Sequence, residues 1–476
     1  MRRCSLAVVL AVAAGLVVAA QQAPDRSAPP TPGPPPDFSP PPIQKRQLSN
    51  GLPVWVVEAH KVPVAHVSLV VRSGSGAAPA GRFGLASLTA QMLDEGAGSR
   101  DALQIADAVD YLGASLTTAG TLDASYVDLH VPVARLADAL AIMADVAMRP
   151  TFPQKELQRI REELLTALIQ AQDDPEELVR FAFPRVVYGA QHRYGTPPIG
   201  TAAALKGLSP ADLEAFHASH YVPGNALLIV AGDVAPDAVL PQLEKAFGSW
   251  KGAPPAPARL PDAPQVKSRQ VYVIDKPGAA QSQIRIGWIG VPRVTPDYFA
   301  LRVLNTVLGG AFTSRLNMNL REEHGYAYGA GSAFEMRAAA GPFFAAAGVQ
   351  TDKTAEALTE FFKELAGIRQ PIPAHELEKA KNYLALSFPG NFETTAAVAA
   401  SLAQLFVYSL PEDYYSTFTR DVRAVTAEDV QRAAARHIQP ERFAVVVIGD
   451  RKIVEPAIAA LKLGPITLVR VEDVMR

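Results

Sequence analysis

Apolar and polar positions follow two different periods along this 476-residue chain. Short β-rich runs occupy Val64 to Arg72 and Gln283 to Gly290. From Tyr126 to Val133 polar and apolar residues alternate, as in an antiparallel strand with one solvated face. A helical period takes over from Glu156 to Gln170, where Leu157, Ile160, Leu164 and Leu168 recur on one face. Ser209 and Thr426 stand where a helix N-cap belongs, each with an aspartate (Asp212, Asp429) in the first turn to face the positive end of the helix dipole. These patterns predict an α+β fold in which an antiparallel-rich sheet carries helices against one face.

The pattern occurs twice. Phe152-Pro153-x-x-Glu156-Leu157 recurs as Ile372-Pro373-x-x-Glu376-Leu377, a shift of 220 residues. Ser209-x-x-Asp212-Leu213 recurs as Thr426-x-x-Asp429-Val430, and the run from Ala226 to Asp233 recurs from Phe443 to Asp450, both at a shift of 217. Three patterns in one order at nearly one spacing, far longer than a solenoid repeat, predict a duplicated domain. Prolines mark the divisions. The stretch Pro24 to Pro42 contains Pro34-Pro35-Pro36 and Pro40-Pro41-Pro42, short of amide donors and large apolar side chains, and reads as an extended tether. A second cluster from Pro254 to Pro264 reads as a linker. The expected organisation is a tether over 21–43, a first domain over 44–252, a linker over 253–266 and a second domain over 267–476.

Composition adds exclusions. Hydrophobic residues make up 49% and charged residues 19%, ordinary for a globular chain, and the length calls for more than one core. A net charge of −2 gives no electrostatic support for binding nucleic acid or an anionic membrane. Arg2 and Arg3 precede an apolar run from Leu6 to Val18, and Val18-Ala19-Ala20 offers small residues for cleavage, so residues 1–20 read as a signal peptide. The run is short for a bilayer span, which takes about 20 apolar residues, so no stable membrane anchor is expected. The expected location is outside the cytoplasm, in a periplasm. Cys4, the sole cysteine, lies in that leader, which excludes disulfides and cysteine-bound zinc from the mature chain.

The ordered landmarks resemble one family. Leu48-Ser-Asn-Gly51-Leu-Pro-Val-Trp-Val-Val57, Val67 to Ser75 and Gly84-Leu-Ala open the resemblance. Asp173-Asp174-Pro175, His220-Tyr221-x-Pro223-x-Asn225 and Val230-Ala-Gly-Asp233 continue it. Gly309-Gly310-Ala-Phe-Thr-Ser-Arg315-Leu316 through Leu320-Arg321-Glu-Glu-His-Gly325-Tyr-Ala-Tyr328 carry it into the second half. Together, over roughly Gln44 to Asp450, the chain is similar to the pitrilysin/insulinase-type (inverzincin) zinc peptidases. Active members carry H-x-x-E-H on a helix, where two histidines four residues apart hold zinc from one face and the glutamate activates the bound water. A third ligand, also a glutamate, comes from a later helix six residues before the Asp-Asp-Pro landmark. The aligned positions here are Ser87, Ala90, Gln91 and Ala167. Two alanines offer no donor atom, and Ser87 and Gln91 are poor zinc ligands, so the resemblance implies that this chain binds no metal.

The chain offers two other candidate chemistries, at Ser87 and at Glu214 to His220. Ser87 lacks the Gly-x-Ser-x-Gly surroundings of a nucleophile elbow. Glu214-x-x-His217-x-x-His220 is a close histidine and carboxylate cluster on a predicted helix, but His220 repeats as His437 while Glu214 and His217 map onto Gln431 and Ala434. A histidine common to both copies belongs to the helix exit rather than to a metal.

The second half resembles the family where the first does not. An arginine and a tyrosine seven residues apart reach over the zinc site in active members, and the R-E-x-x-G-x-x-Y pattern places them at Arg321 and Tyr328, with Tyr326 leaving the identity of the tyrosine open. An arginine offers fixed donors to a peptide carbonyl, and a tyrosine hydroxyl can stabilise an oxyanion. The resemblance therefore implies the non-metal subunit of a heterodimeric peptidase. A homologous partner would hold zinc in an intact H-x-x-E-H motif, and the substrate would be an extended peptide or unfolded polypeptide paired with a strand edge. The alternative is a non-catalytic structural or peptide-binding protein of the same fold.

Overall fold

The strand register repeats with the sequence. In the first half Val54 pairs with Leu228 and Val67 with Val230. In the second, Val271 pairs with Val445 and Ile284 with Val447, the same pairs 217 residues on. These pairings come from a computed structural model that describes residues 38–256, 260–265 and 267–476. The residues read as a signal peptide, and most of those read as a tether, lie outside the described residues. Among the described residues the first strand begins at Gln44.

The strands are β1 (Gln44–Gln47), β2 (Pro53–Glu58), β3 (Val64–Val71), β4 (Gly96–Ala97), β5 (Arg100–Asp101), β6 (Ser115–Gly120) and β7 (Ser125–Pro132), followed by β8 (Ala226–Gly232), β9 (Gln270–Asp275), β10 (Gln281–Ile289), β11 (Ala327–Phe334), β12 (Pro342–Gln350), β13 (Ala444–Gly449) and β14 (Ile466–Val469). Apart from the β4–β5 ribbon they form two six-stranded sheets, in the orders β1-β2-β8-β3-β7-β6 and β11-β12-β10-β13-β9-β14. Read from opposite ends, the two orders correspond in five strands, and only the edge strands β1 and β14 have no counterpart. Most neighbours are antiparallel; β2 and β8 pair in parallel, as do β9 and β13, and β14 adds a parallel edge to β9. Each half is thus a sheet with helices, the α+β architecture expected.

Local chemistry explains the elements. β8 and β13 are buried along their whole lengths, which is why Ala-Leu-Leu-Ile-Val-Ala-Gly and Ala-Val-Val-Val-Ile-Gly are unbroken apolar runs. β7 alternates because its odd and even side chains meet different environments. The helix Gln154–Asp173 buries Leu157, Ile160 and Leu168 from its apolar stripe. Ser209 and Thr426 each close a capping box, accepting from the Asp212 and Asp429 amides while those carboxylates reach back to the cap amides.

Residues Ser39–Arg476 make up one unit because each half lends a helix to the other. Pro175–Tyr188, from the first half, crosses β10 and β13 of the second sheet. Thr395–Val407, its counterpart 220 residues on, crosses β3 and β8 of the first. Ile274, Ile289, Val446 and Ile448 of the second sheet accordingly share a core with the first half. Polar groups pin the exchange. Arg72 donates to the Phe406 carbonyl at 2.6 and 3.0 Å. Asp123, in the β6–β7 turn, accepts from the hydroxyls of Tyr194 at 2.6 Å and Tyr408 at 3.1 Å and from the Ala338 amide at 3.0 Å. Burial beside that carboxylate pushes both tyrosine hydroxyls well above the usual phenol range. Among the described residues no helix is long and apolar enough to cross a membrane.

Candidate functional site

Ser87, Ala90 and Gln91 lie on the helix Leu85–Gln91. The helix ends at Gln91, and Leu85 through Ala90 are all buried, because β6 and β7 pack on one side and the helix Pro210–His220 on another. Gly120 on β6 permits this approach, since a Cβ there would lie 2.9 Å from the Ser87 Cα. Ser87 and Gln91, one turn apart on one face, contact each other: the Gln91 amide donates to the Ser87 hydroxyl at 3.2 Å. Ala90 between them is fully buried. Past the helix, burial pushes the Asp94 carboxyl above the usual range, and Glu95 pairs with Arg159 of Gln154–Asp173 at 2.5 Å. Ala167 lies two turns further along that helix, exposed at the rim of a cavity of about 660 Å³. The four residues at the ligand and base positions thus offer a hydroxyl, an amide and two methyl groups, a donor set that does not fit zinc.

Glu214, His217 and His220 do not converge on a metal. His217 contacts the Ala147 carbonyl at 2.9 Å and stacks on Tyr221. His220 turns back to the Phe216 carbonyl of its own helix at 3.0 Å and stacks on the Phe216 ring. Burial lowers both imidazoles below the usual histidine range. His437, the repeat of His220, instead contacts Asp297 at 2.6 Å from the end of its helix. Among the described residues no group of three or more histidine, cysteine, aspartate or glutamate side chains is placed to hold a metal ion.

Arg321 and Tyr328 come together. Arg321 lies in a π-helical turn, Met318–Glu323, and Gly325 reverses the chain at φ +64°. β11 then begins, and its register to β12 slips between Ala327 and Ala330, leaving Tyr328 at the bulge of an edge strand. Tyr328 is 86% exposed. The Arg321 guanidinium sits 5.1 Å from the centre of its ring and 4.7 Å from that of Phe312, itself 60% exposed. Tyr326 lies elsewhere, stacked on His324 at 4.9 Å. Buried Asn317 holds the cluster from below, donating to the Phe312 carbonyl at 2.7 Å and accepting from the Ala330 amide at 3.1 Å. A half-buried arginine, paired with Glu322 at 3.2 Å and set between two exposed aromatic rings, can receive an extended peptide by hydrogen bonds and stacking.

Comparison with known proteins agrees with this architecture. The family model described as Insulinase (Peptidase family M16) matches residues 54–194, and that described as Peptidase M16 inactive domain matches 207–384. The chain belongs to peptidase family M16. An uncharacterized zinc protease of Mycobacterium bovis is 26% identical over 409 residues, covering 85% of this chain and 93% of that protein. A non-peptidase homolog of Helicobacter pylori is 23% identical over 84% of this chain and 92% of its own. The crystal structure of a peptidase M16 inactive domain from Pseudomonas fluorescens superposes with a TM-score of 0.80 at 27% identity, covering 86% of this chain and 98% of that one.

Within M16, the residues at the zinc positions and the match of the inactive-domain model over the second half support a non-catalytic member. Sequence reasoning missed Phe312 and Asn317. Both lie within or beside the Gly309 to Leu316 landmark, but neither residue type announces chemistry; only the folded turn brings them to Arg321.

Proposed function

We propose that this chain is the metal-free subunit of a two-chain M16 peptidase, with Arg321 and Tyr328 reaching substrate held at a homologous partner's zinc. The observation that carries this reading is the pairing of the Arg321 guanidinium with Tyr328, 86% exposed, on a chain with no zinc-ligand set of its own. The partner would supply the metal and the general base through an intact H-x-x-E-H motif. Arg321 would donate to a carbonyl of an extended peptide and fix its register. The Tyr328 hydroxyl would donate to the oxyanion that forms as the scissile carbonyl becomes tetrahedral. The edge position of β11 suits peptide pairing by strand addition. On this reading the domains run 44–252 and 267–476, and the leader read at 1–20 sends the chain to the periplasm.

The test is turnover by the chain mixed with a homologue that carries the intact motif. Arg321→Ala and Tyr328→Phe should each lower turnover by about 10²–10³, the usual loss for one oxyanion donor, with co-elution on a sizing column unchanged. Tyr326→Phe should leave turnover intact; loss confined to that variant would move the role to Tyr326. Wild-type turnover in both the Arg321 and Tyr328 variants would leave the structural or peptide-binding reading.

A further inference from the structure

Two cavities, of about 660 and 490 Å³, occupy corresponding places in the duplicated fold. Gln170, Arg180, Phe181 and Tyr194 line the first, and their counterparts 220 residues on, Gly390, Ala400, Ser401 and Tyr414, line the second. The cavities differ in how their arginines are satisfied. In the second, buried Arg293 stacks on Tyr298 at 3.9 Å and on Tyr414 at 4.9 Å. In the first, Arg285 projects from β10 with its guanidinium 4.2 Å from the Phe344 ring centre. Among the described residues no carboxylate lies within 4 Å of it, and its Nε is buried without a hydrogen-bond partner. Arg337 spends one nitrogen on Glu335 at 2.6 Å and leaves its Nη1 buried and unpaired. The Thr196 hydroxyl, lining the same cavity, is buried and unpaired as well.

The nearby charges do not answer these donors. Arg180 is held by Glu176 at 2.9 Å and Glu177 at 3.5 Å, and Asp174 caps the Pro175–Tyr188 helix at the Glu176 amide. Arg285 therefore has no carboxylate in direct contact; burial lowers its proton affinity, and Glu335, Glu176 and Glu177 act on it only from a distance. Buried donors left unpaired are costly, so a site that presents them is completed by an acceptor. Phe183, Phe344, Pro198 and Leu122 give the wall an apolar part, while Gln170, Asp174, Glu177 and Glu335 also line it, the carboxylates of Glu177 and Glu335 being engaged by Arg180 and Arg337. Ala167 stands on the same rim, where the family's third zinc ligand would place a carboxylate facing any bound anion.

We infer that this cavity binds a carboxylate carried on an apolar group, with Arg285, Arg337 and the Thr196 hydroxyl receiving its oxygens. The source is either a peptide's C-terminus or a small free acid; both present the same chemistry. The site lies wholly within this chain and does not depend on a zinc-bearing partner.

Calorimetric titration of the purified chain tests it, comparing N-acetylphenylalanine with its amide and a pentapeptide ending in phenylalanine with its C-terminal amide. Each free acid should bind in a saturable way, at least about tenfold more tightly than its amide, the scale of a charge-assisted pair. Arg285→Met should lower acid affinity by about tenfold or more without lowering thermal stability, since the substitution removes an unpaired buried cation. Thr196→Val, nearly isosteric, should weaken it less. Tighter binding of the pentapeptide than of the acetylated amino acid assigns the site to peptide ends, and equal binding assigns it to free acids. Absence of saturable binding at millimolar concentration, equal affinity for acid and amide, inorganic phosphate binding as well as the acids, or wild-type affinity in Arg285→Met overturns the proposal.

Discussion

At the scale of single residues, Ser87 and Gln91 show how a metal-binding face can persist without its metal chemistry. They keep the one-turn spacing that two imidazoles would need, and they satisfy each other instead. His217 is a second case, in which burial favours the neutral ring and outweighs the contact with the Ala147 carbonyl, which acts the other way. Its folded pKa lies below the unfolded value of about 6.5, so the unfolded chain takes up the proton first as pH falls. The His217 contribution to stability is full above about pH 6.5, declines below it and levels off beneath the folded pKa. His220 and His192 shift in the same direction through burial, whereas exposed His60, held by Asp233 and Glu58, shifts the other way. Urea midpoints measured from pH 7 down to about pH 5.5 should therefore fall, and His217→Gln should flatten part of that slope. A wild-type midpoint that stays level or rises over this window contradicts the assignment.

Among elements, the helices capped by Ser209 and Thr426 are the clearest case of sequence chemistry becoming structure. Ser209→Ala and Thr426→Ala should each destabilise the chain by about 1 kcal/mol, and by similar amounts, because the two capping boxes are the same device. Chemical denaturation of the two variants checks this; a shift in neither would mean that the helix starts are held by packing alone. The central strands were legible for a related reason, since burial on both faces leaves only apolar residues along β8 and β13. The π-helical turn at Arg321 and the bulge at Tyr328 left no periodic trace. Their residues were legible only through the spacing shared with a family, and Phe312 was not legible at all.

For the whole molecule, the duplication could be read from three recurring patterns, yet the exchange of helices between halves could not. Periodicity tells which face of Pro175–Tyr188 is apolar but not which sheet will cover it. That exchange builds the cavity at Arg285, a β10 residue that meets side chains of the first half only because the Pro175–Tyr188 helix crosses its sheet. It also joins the halves at Asp123, where two tyrosines and an amide converge from distant parts of the chain. The resulting body carries Arg321 and Tyr328, which we propose face substrate, at one sheet edge, and Ser87 and Gln91, aligned with the family's zinc ligands, beside the edge of the other. Such a molecule should act only in company. The direct measurement is cleavage of an unstructured peptide by this chain alone, by a homologue with an intact H-x-x-E-H motif alone, and by the two mixed. The account predicts no cleavage by this chain, and turnover by the mixture well above that of the homologue; cleavage by this chain alone, or a mixture no faster than the homologue, would contradict it.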